Sequence, residues 1–384
     1  MFAPAILTNP LQAQIARAIE RAGGWLGFDD FMNLALYSPG LGYYANAREV
    51  FGLIPQNQSE GGGDFVTAPE MTDLFGRTLA TQIAQALQAT QTSEVWEFGA
   101  GTGALARDLL DELRNMGVAV SRYTIFDVSA SLRERQQQTL AAHSATVHWA
   151  DALPDTIRGV VIGNEVLDAM PVKLLARHGG AWFERGVALT FESKSGQPPE
   201  FAWADRATAL RPPIEIAGHH DYLSEIHPQG EAFVRTLADR LAAGALFLLD
   251  YGFPELEYYH AQRHMGTVMC HQAHRSDTNP LVAVGLKDIT AHVNFTAIAL
   301  AGQDAGLDVL GYATQARFLI NCGLLQRMQA ASLQDKVMAQ KLVLEHEMGE
   351  LFKVIGFAKR PADGDFEESW QAVGFAEGDR SHAL

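Results

Sequence analysis

The chain has 384 residues, 47% hydrophobic and 19% charged, with 29 Lys and Arg against 45 Asp and Glu for a formal net charge of −16. That balance excludes a disordered chain and argues against a nucleic-acid partner, because an acidic surface repels phosphate; its plain use is solubility, its more specific one attraction of a basic protein substrate. No apolar run reaches the roughly 20 residues that a membrane-spanning helix needs, and two cysteines outside any C-x-x-C pair, Cys270 and Cys322, argue against a disulfide framework or a zinc ribbon.

A helix opens the chain, with Thr8 or Asn9 as cap, Pro10 near its first turn and Leu11, Ile15 and Ile19 as its apolar stripe; Gly23 and Gly24 stop it. A second short helix around 28–37 ends before Ser38-Pro39-Gly40. The polar segment from Gly52 to Gly63 reads as a lid loop or as a surface insertion. A helix carrying Leu74, Leu79, Ile83 and Leu87 follows. The first 10 residues lack a basic or arginine-rich leader, so the expected setting is the cytoplasm of a bacterium.

From Val95 onward, short apolar runs alternate with helical patterns, which predicts a parallel sheet buried on both faces. The strands are expected at 95–98, 123–127, 146–149, 159–164 and 245–250, with 307–312 and 352–358 as an antiparallel closing pair. The first crossover helix should bury Leu105, Leu109, Leu113 and Met116, and the second, capped by Ser129 or Ser131, carries Leu132, Gln136 and Leu140. The expected organisation is an N-terminal helical extension and lid loop over 1–92, an α/β core over 93–166 and 244–384, and an inserted α+β subdomain on the acceptor side over 167–243. Within the insertion, Ala181 to Glu192 has the alternation and central glycine of a hairpin. Exposed apolar residues there suit a homodimer contact or an acceptor cradle.

The chemistry concentrates at Glu94-Val-Trp-Glu-Phe-Gly-Ala-Gly-Thr-Gly-Ala-Leu-Ala-Arg107. A strand feeds a turn with Gly99, Gly101 and Gly103, and Glu97 precedes the first glycine by two residues. Glycine lets the backbone take positive φ and approach a ligand, and the turn delivers a helix N-terminus with free N–H groups. The pattern suits an adenosine cofactor, and Gly99, Gly101 and Ala104 also fit the dinucleotide spacing, so S-adenosylmethionine and NAD both stand on this segment alone. In such sheets the ligand lies beyond the strands' carboxyl ends. Asp127 there matches the two ribose hydroxyls, and Asp151 an adenine amino group. Asn164, Glu165 and Asp168 gather after the fourth strand, where the reactive end belongs. An anionic, hydrogen-bond-accepting cluster suits a cationic acceptor beside a methyl donor better than it suits hydride transfer. Read blandly, it is the acidic first turn of a helix.

His260 and His264 are four residues apart, and His271 and His274 three apart. Neither pair is completed by a convincing third ligand, so no metal is expected, and the histidines read as solvated or substrate-facing.

The chain resembles the MidA-type family of class I methyltransferases, which includes the mitochondrial complex I assembly factor that methylates an arginine. The resemblance rests on ordered segments across nearly the whole chain. Among them are Ala35-Leu-Tyr-Ser-Pro-Gly-Leu-Gly-Tyr-Tyr44, Gly63-Asp-Phe-Val-Thr-Ala-Pro-Glu70, Glu97-Phe-Gly-Ala-Gly-Thr-Gly103, Gly163-Asn-Glu-Val-Leu-Asp-Ala-Met-Pro-Val172, Leu249-Asp-Tyr-Gly252 and Asp288-Ile-Thr-Ala-His-Val-Asn-Phe295. Two departures stand out: Asp127 replaces the family's usual Glu, and the polar loop before Gly63 is longer. The resemblance implies a Rossmann-like, doubly wound α/β methyltransferase fold and S-adenosyl-L-methionine as cofactor. It also implies a protein substrate with an accessible arginine, complex I assembly as context and a mitochondrial matrix setting for the eukaryotic relatives. Glu165 and Asp168 are then the candidates for holding a guanidinium. Glu97, Gly99, Gly101, Gly103, Asp127, Asp151 and Asn164 are the candidates for holding the cofactor. An NAD-linked oxidoreductase, a non-enzymatic assembly factor retaining the fold, and a small-molecule acceptor are the competing readings.

Overall fold

The computed structural model describes residues 9–46, 67–190, 200–272, 275–359 and 370–384. Thr8 as a cap, the 52–63 loop and His274 lie outside them. The chain divides into two compact units, one of Met1–Val50, Ala169–Gln229 and Leu256–Ala291, the other of Phe51–Asp168, Gly230–Glu255 and His292–Leu384.

The second unit carries the glycine turn. Among the described residues its sheet has eight strands, β1 Glu94–Phe98, β2 Arg122–Phe126, β3 Val147–Ala150, β4 Ile157–Asn164, β5 Leu241–Phe253, β6 Val293–Asn294, β7 Asp308–Thr314 and β8 Phe352–Lys359. Their order is β7-β8-β5-β4-β1-β2-β3, with β6 against the end of β5. Strands β1 to β5 are parallel, so their carboxyl ends share one edge. Strand β8 runs antiparallel to β5 and β7, as the closing pair requires. The order reverses between β1 and β4, and ligands of open α/β sheets bind at such a reversal. This is the class I methyltransferase topology that the resemblance implies.

Helices α1 (Asp73–Ala89), α2 (Ala104–Asn115), α3 (Ala130–Thr139), α4 (Pro228–Arg240) and α5 (Phe295–Asp304) follow from their stripes and caps. Thr72 caps α1 through Leu74 N–H at 3.3 Å, Ser129 caps α3 through Leu132 N–H at 3.3 Å, and Asn294 caps α5 through Thr296 N–H at 3.1 Å. Leu74, Leu79, Ile83 and Leu87 of α1 join Leu105, Leu109 and Leu113 of α2 against Val95, Tyr123, Ile125, Val160, Ile162 and Phe247 in one core. Met116 departs from expectation. It follows the last turn of α2 as its C-cap and is 42% exposed, because the helix ends at Asn115 and the stripe ends with it.

The first unit has helices Pro10–Arg21 and Phe28–Tyr37 and an antiparallel sheet of Leu26–Gly27, Lys173–His178, Ala181–Leu189, Phe201–Ala207 and Tyr222–Ile226. Asn9 caps the first helix, accepting from Leu11 N–H at 3.0 Å. The hairpin expected to turn within Ala181 to Glu192 is instead one strand from Ala181 to Leu189, entered from Lys173–His178 through Gly179-Gly180 at φ +55° and +82°. Positive φ at both central residues is the geometry of a tight two-residue hairpin. Gly186, read as that hairpin's centre, lies mid-strand, where an added Cβ would fall 2.2 Å from Leu26 O and 2.5 Å from the Trp25 ring. The glycine admits a neighbouring backbone rather than a turn. Gly186→Ala is therefore expected to destabilise the chain by about 1–3 kcal/mol through forced repacking, read as a fall in urea midpoint; an unchanged midpoint would show that the strands can part at no cost.

Candidate active site

The glycine turn leaves β1 with three left-handed residues, Gly99 at φ +65°, Gly101 at +54° and Gly103 at +86°. Gly99 N–H still donates to Phe126 O at 2.9 Å, and Gly103 is the N-cap of α2. With no Cβ on these residues, backbone N–H groups can face a ligand at the helix N-terminus. Thr102 within the turn donates to the Glu70 carboxylate, so the Thr67-Ala-Pro-Glu70 segment braces the turn from outside.

Glu97 points into the core, 2% exposed, with Tyr123 Oη donating to it at 2.7 Å. Burial pushes its carboxyl up to about 7, with Asp127 adding to the rise and Tyr123 opposing it. Asp127 follows β2. Its Oδ1 accepts Ser129 N–H at 2.9 Å and its Oδ2 accepts Gln136 Nε2–H at 2.8 Å. Burial raises its pKa against those hydrogen bonds. Each carboxylate oxygen has two lone pairs, so acceptor capacity remains for two neighbouring hydroxyls. Gln136 also donates to Gly101 O at 3.0 Å and accepts from Trp149 Nε1–H at 2.8 Å. This fully buried amide joins the glycine turn, the β2 carboxylate and β3. Its place on the apolar face of α3 was the only sign of that role in the sequence. Asp151, beyond β3, is highly exposed and ion-paired with Arg133.

The acidic cluster sits where β4 ends beside the longer β5. No helix follows β4; residues 165–172 form bends, turns and irregular chain, so the helix-first-turn reading of this cluster is set aside. Glu165 takes φ +51°, a left-handed conformation unusual for a side-chain-bearing residue, while its N–H donates to Leu249 O at 2.8 Å. Asn164, 9% exposed, donates from Nδ2 to Glu165 Oε1 at 3.1 Å, and its buried Oδ1 has no hydrogen-bond partner among the described residues. Asp168 is 5% exposed and accepts from Tyr251 Oη at 2.7 Å. Asp250, absent from the expected site, accepts Leu167 N–H at 2.9 Å and Asp168 N–H at 3.1 Å on Oδ2, and Tyr251 N–H at 2.9 Å on Oδ1. Burial and then the charges of Asp168 and Glu165 hold its carboxyl well above the usual carboxylate range. A buried polar oxygen with no partner among the described residues and mutually repelling carboxylates are costs that a donor-bearing cation would relieve.

The histidines lie in the other unit. His264 O accepts Leu223 N–H at 2.9 Å, His260 N–H donates to Glu257 O at 3.4 Å, and burial lowers the His271 pKa. Among the described residues no group of three His, Cys, Asp or Glu side chains could hold a metal ion, and no helix is long and apolar enough to cross a membrane.

Glu97 carries a pH signature. With a native pKa near 7 against an ordinary 4.5, the folded chain holds this proton more tightly than the unfolded chain. Stability from this group is therefore complete below about 4.5 and lost as pH rises to about 7, by roughly 3 kcal/mol at about 1.4 kcal/mol per unit. Glu97→Gln keeps an acceptor for Tyr123 and is expected to raise the melting temperature over the parent at pH 8 but not at pH 4. Equal effects at both pH values would contradict the raised pKa.

Residues 78–313 match the family described as "Putative S-adenosyl-L-methionine-dependent methyltransferase". The chain is similar to a crystal structure of a Burkholderia thailandensis protein bound to S-adenosyl-homocysteine, at 44% identity and a TM-score of 0.90, covering 100% of this chain and 99% of that one. A native crystal structure from the same organism matches at 44% identity and a TM-score of 0.86, over 100% and 99% of the two chains. More distant relatives are the mitochondrial protein arginine methyltransferase NDUFAF7 of Danio rerio, 26% identical over 86% of this chain and 83% of that one, and its Caenorhabditis elegans homologue, 24% identical over 96% and 91%. The match decides between the two adenosine cofactors that the glycine spacing left open. With a class I sheet, a glycine turn and an acceptor-rich strand edge, the chain belongs to this family of S-adenosylmethionine-dependent methyltransferases.

Proposed function

We propose that the protein transfers a methyl group from S-adenosylmethionine to an arginine side chain of a protein. The observation that carries this reading is the acceptor-rich cluster of Asn164, Glu165 and Asp168 at the β4 edge, with a buried Asn164 Oδ1 lacking a partner among the described residues. Two relatives named protein arginine methyltransferases, at 26% and 24% identity, support it.

On the cofactor side, Gly99, Gly101 and Gly103 leave room for the cofactor's close approach. Glu97 braces the strand beneath them, Asp127 accepts from the ribose, and Asp151 accepts from the adenine amino group. Asn164 lies between this half of the site and the acceptor half. When bound, the cofactor supplies an electrophilic methyl group whose carbon–sulfur bond breaks with both electrons staying on sulfur. The chain's own task is alignment, which can contribute about 7–11 kcal/mol to lowering a barrier.

On the acceptor side, a guanidinium keeps its charge at any working pH and offers N–H donors in a rigid fork. Glu165 and Asp168 accept from that fork and turn one nitrogen toward the methyl. That nitrogen loses its proton to solvent water after the new carbon–nitrogen bond has formed, so a strong base is unnecessary. The cation also offsets the repulsion that adds to burial in raising the Asp250 pKa.

Incubating the purified chain with labelled S-adenosylmethionine and a cell lysate, then locating the label, tests this reading: label on arginine is expected, and label confined to small molecules or other side chains would refute it. Glu165→Gln and Asp168→Asn should each slow transfer by roughly 10- to 100-fold, the worth of a charge-assisted hydrogen bond of about 1.5–3 kcal/mol, while calorimetric affinity for S-adenosylhomocysteine stays within a few-fold. Transfer unaffected by either substitution would remove the acidic cluster from the mechanism.

A further inference from the structure

We infer that Tyr251 is a positioning residue that fixes the carboxylate of Asp168 for the acceptor. The inference rests on the arginine reading above. Two consecutive residues at the end of β5 hold Asp168 at both ends. Asp250 Oδ2 accepts the Asp168 N–H at 3.1 Å, and Tyr251 Oη donates to Asp168 Oδ2 at 2.7 Å. Successive strand residues point to opposite faces, so a pair at 250 and 251 can reach backbone and side chain from different directions.

The phenol itself has little freedom. Its ring meets the His292 ring edge-on at 5.1 Å and the Phe352 ring at 5.3 Å, and the Tyr251 backbone pairs in register with Phe352 on β8. The His292 ring also lies 5.4 Å from the Phe253 ring, and the adjacent β6 pairs with β5 at Gly252 and Phe253. The hydroxyl vector is thus set by the sheet rather than by a mobile side chain. A hydroxyl donating to Oδ2 pins the carboxylate's rotation and directs its remaining lone pairs. A planar fork with fixed N–H directions gains from such pinning, whereas a freely rotating ammonium gains little.

The test uses the full chain and labelled methyl transfer into lysate protein, with label counted on arginine after hydrolysis. Tyr251→Phe keeps the ring and its packing and removes only the hydroxyl. It should cut arginine labelling at limiting lysate concentration about 10-fold, with the loss recovering toward the parent rate as lysate protein is raised. Affinity for S-adenosylhomocysteine should stay within about two-fold. In a double-mutant cycle, Tyr251→Phe should cost nothing further on an Asp168→Asn background, because the two act as one unit. Full labelling by Tyr251→Phe, additive losses in the cycle, or a parallel loss of cofactor affinity would each overturn the inference. If the parent chain labels no arginine, the functional reading fails first and the inference falls with it; if the parent labels arginine and Tyr251→Phe does so equally well, only the inference fails.

Discussion

The Asp250 carboxylate accepts the amides of Leu167 and Asp168, and that contact decides where the acidic residues stand. Strand β4 stops at Asn164, while its parallel neighbour β5 runs on to Phe253. The chain leaving β4 has lost its ladder partners and needs others, since buried amides left unpaired are costly. Asp250 supplies them from the strand that continues. The Glu165 N–H extends the ladder by one bond to Leu249 O, and the chain then bends through a left-handed Glu165 into the turn that Asp250 holds. Without this attachment the segment would be an ordinary surface loop, and its carboxylates would separate into solvent rather than gather.

Gathering them has an electrostatic cost, since burial raises the Asp250 pKa and the charges of Asp168 and Glu165 raise it further. The glycine side of the same edge shows a gentler version. Glu97 and Asp127 are both pushed upward by burial, and each is partly offset by hydrogen bonds, from Tyr123 to one and from Ser129 and Gln136 to the other. Three carboxylates at β4 and β5 and two at β1 and β2 make this part of the sheet rich in acidic groups, with Arg133 lowering the Asp127 pKa on the β2 side. A sulfonium donor and a guanidinium acceptor both bring positive charge to it. Charge complementarity therefore links the cofactor established by family membership with the acceptor proposed from geometry.

Much of the architecture is periodicity and punctuation. The helix stripes at Leu11, Ile15 and Ile19 and at Leu74, Leu79, Ile83 and Leu87, the caps at Asn9 and Ser129, and the apolar runs of β1 to β5 are all local signals, and each element lies where those signals put it. The glycine turn is equally local, because positive φ at alternate residues leaves a compositional mark. Two departures from the sequence reading have different causes, one distant and one local. A glycine's sequence neighbours do not reveal whether it bends the chain or admits another backbone; Gly186 admits Leu26 and Trp25, about 160 positions earlier. Met116 extended a stripe whose helix had already stopped.

The sequence alone determined the strand order's raw material, the glycine turn and the presence of acids at strand ends, since these depend on residue type and near neighbours. It could not distinguish a structural glutamine from a site glutamine, so the bridging of Gly101, Asp127 and Trp149 by Gln136 emerged only from the fold. It could not pair Asp168 with Asp250 and Tyr251, which lie more than 80 positions apart and meet because β4 and β5 are parallel neighbours of unequal length. Tertiary structure alone turned a run of acidic residues into an arranged set, because hydrogen-bond geometry between distant segments is fixed by strand register and leaves no periodic trace in the chain.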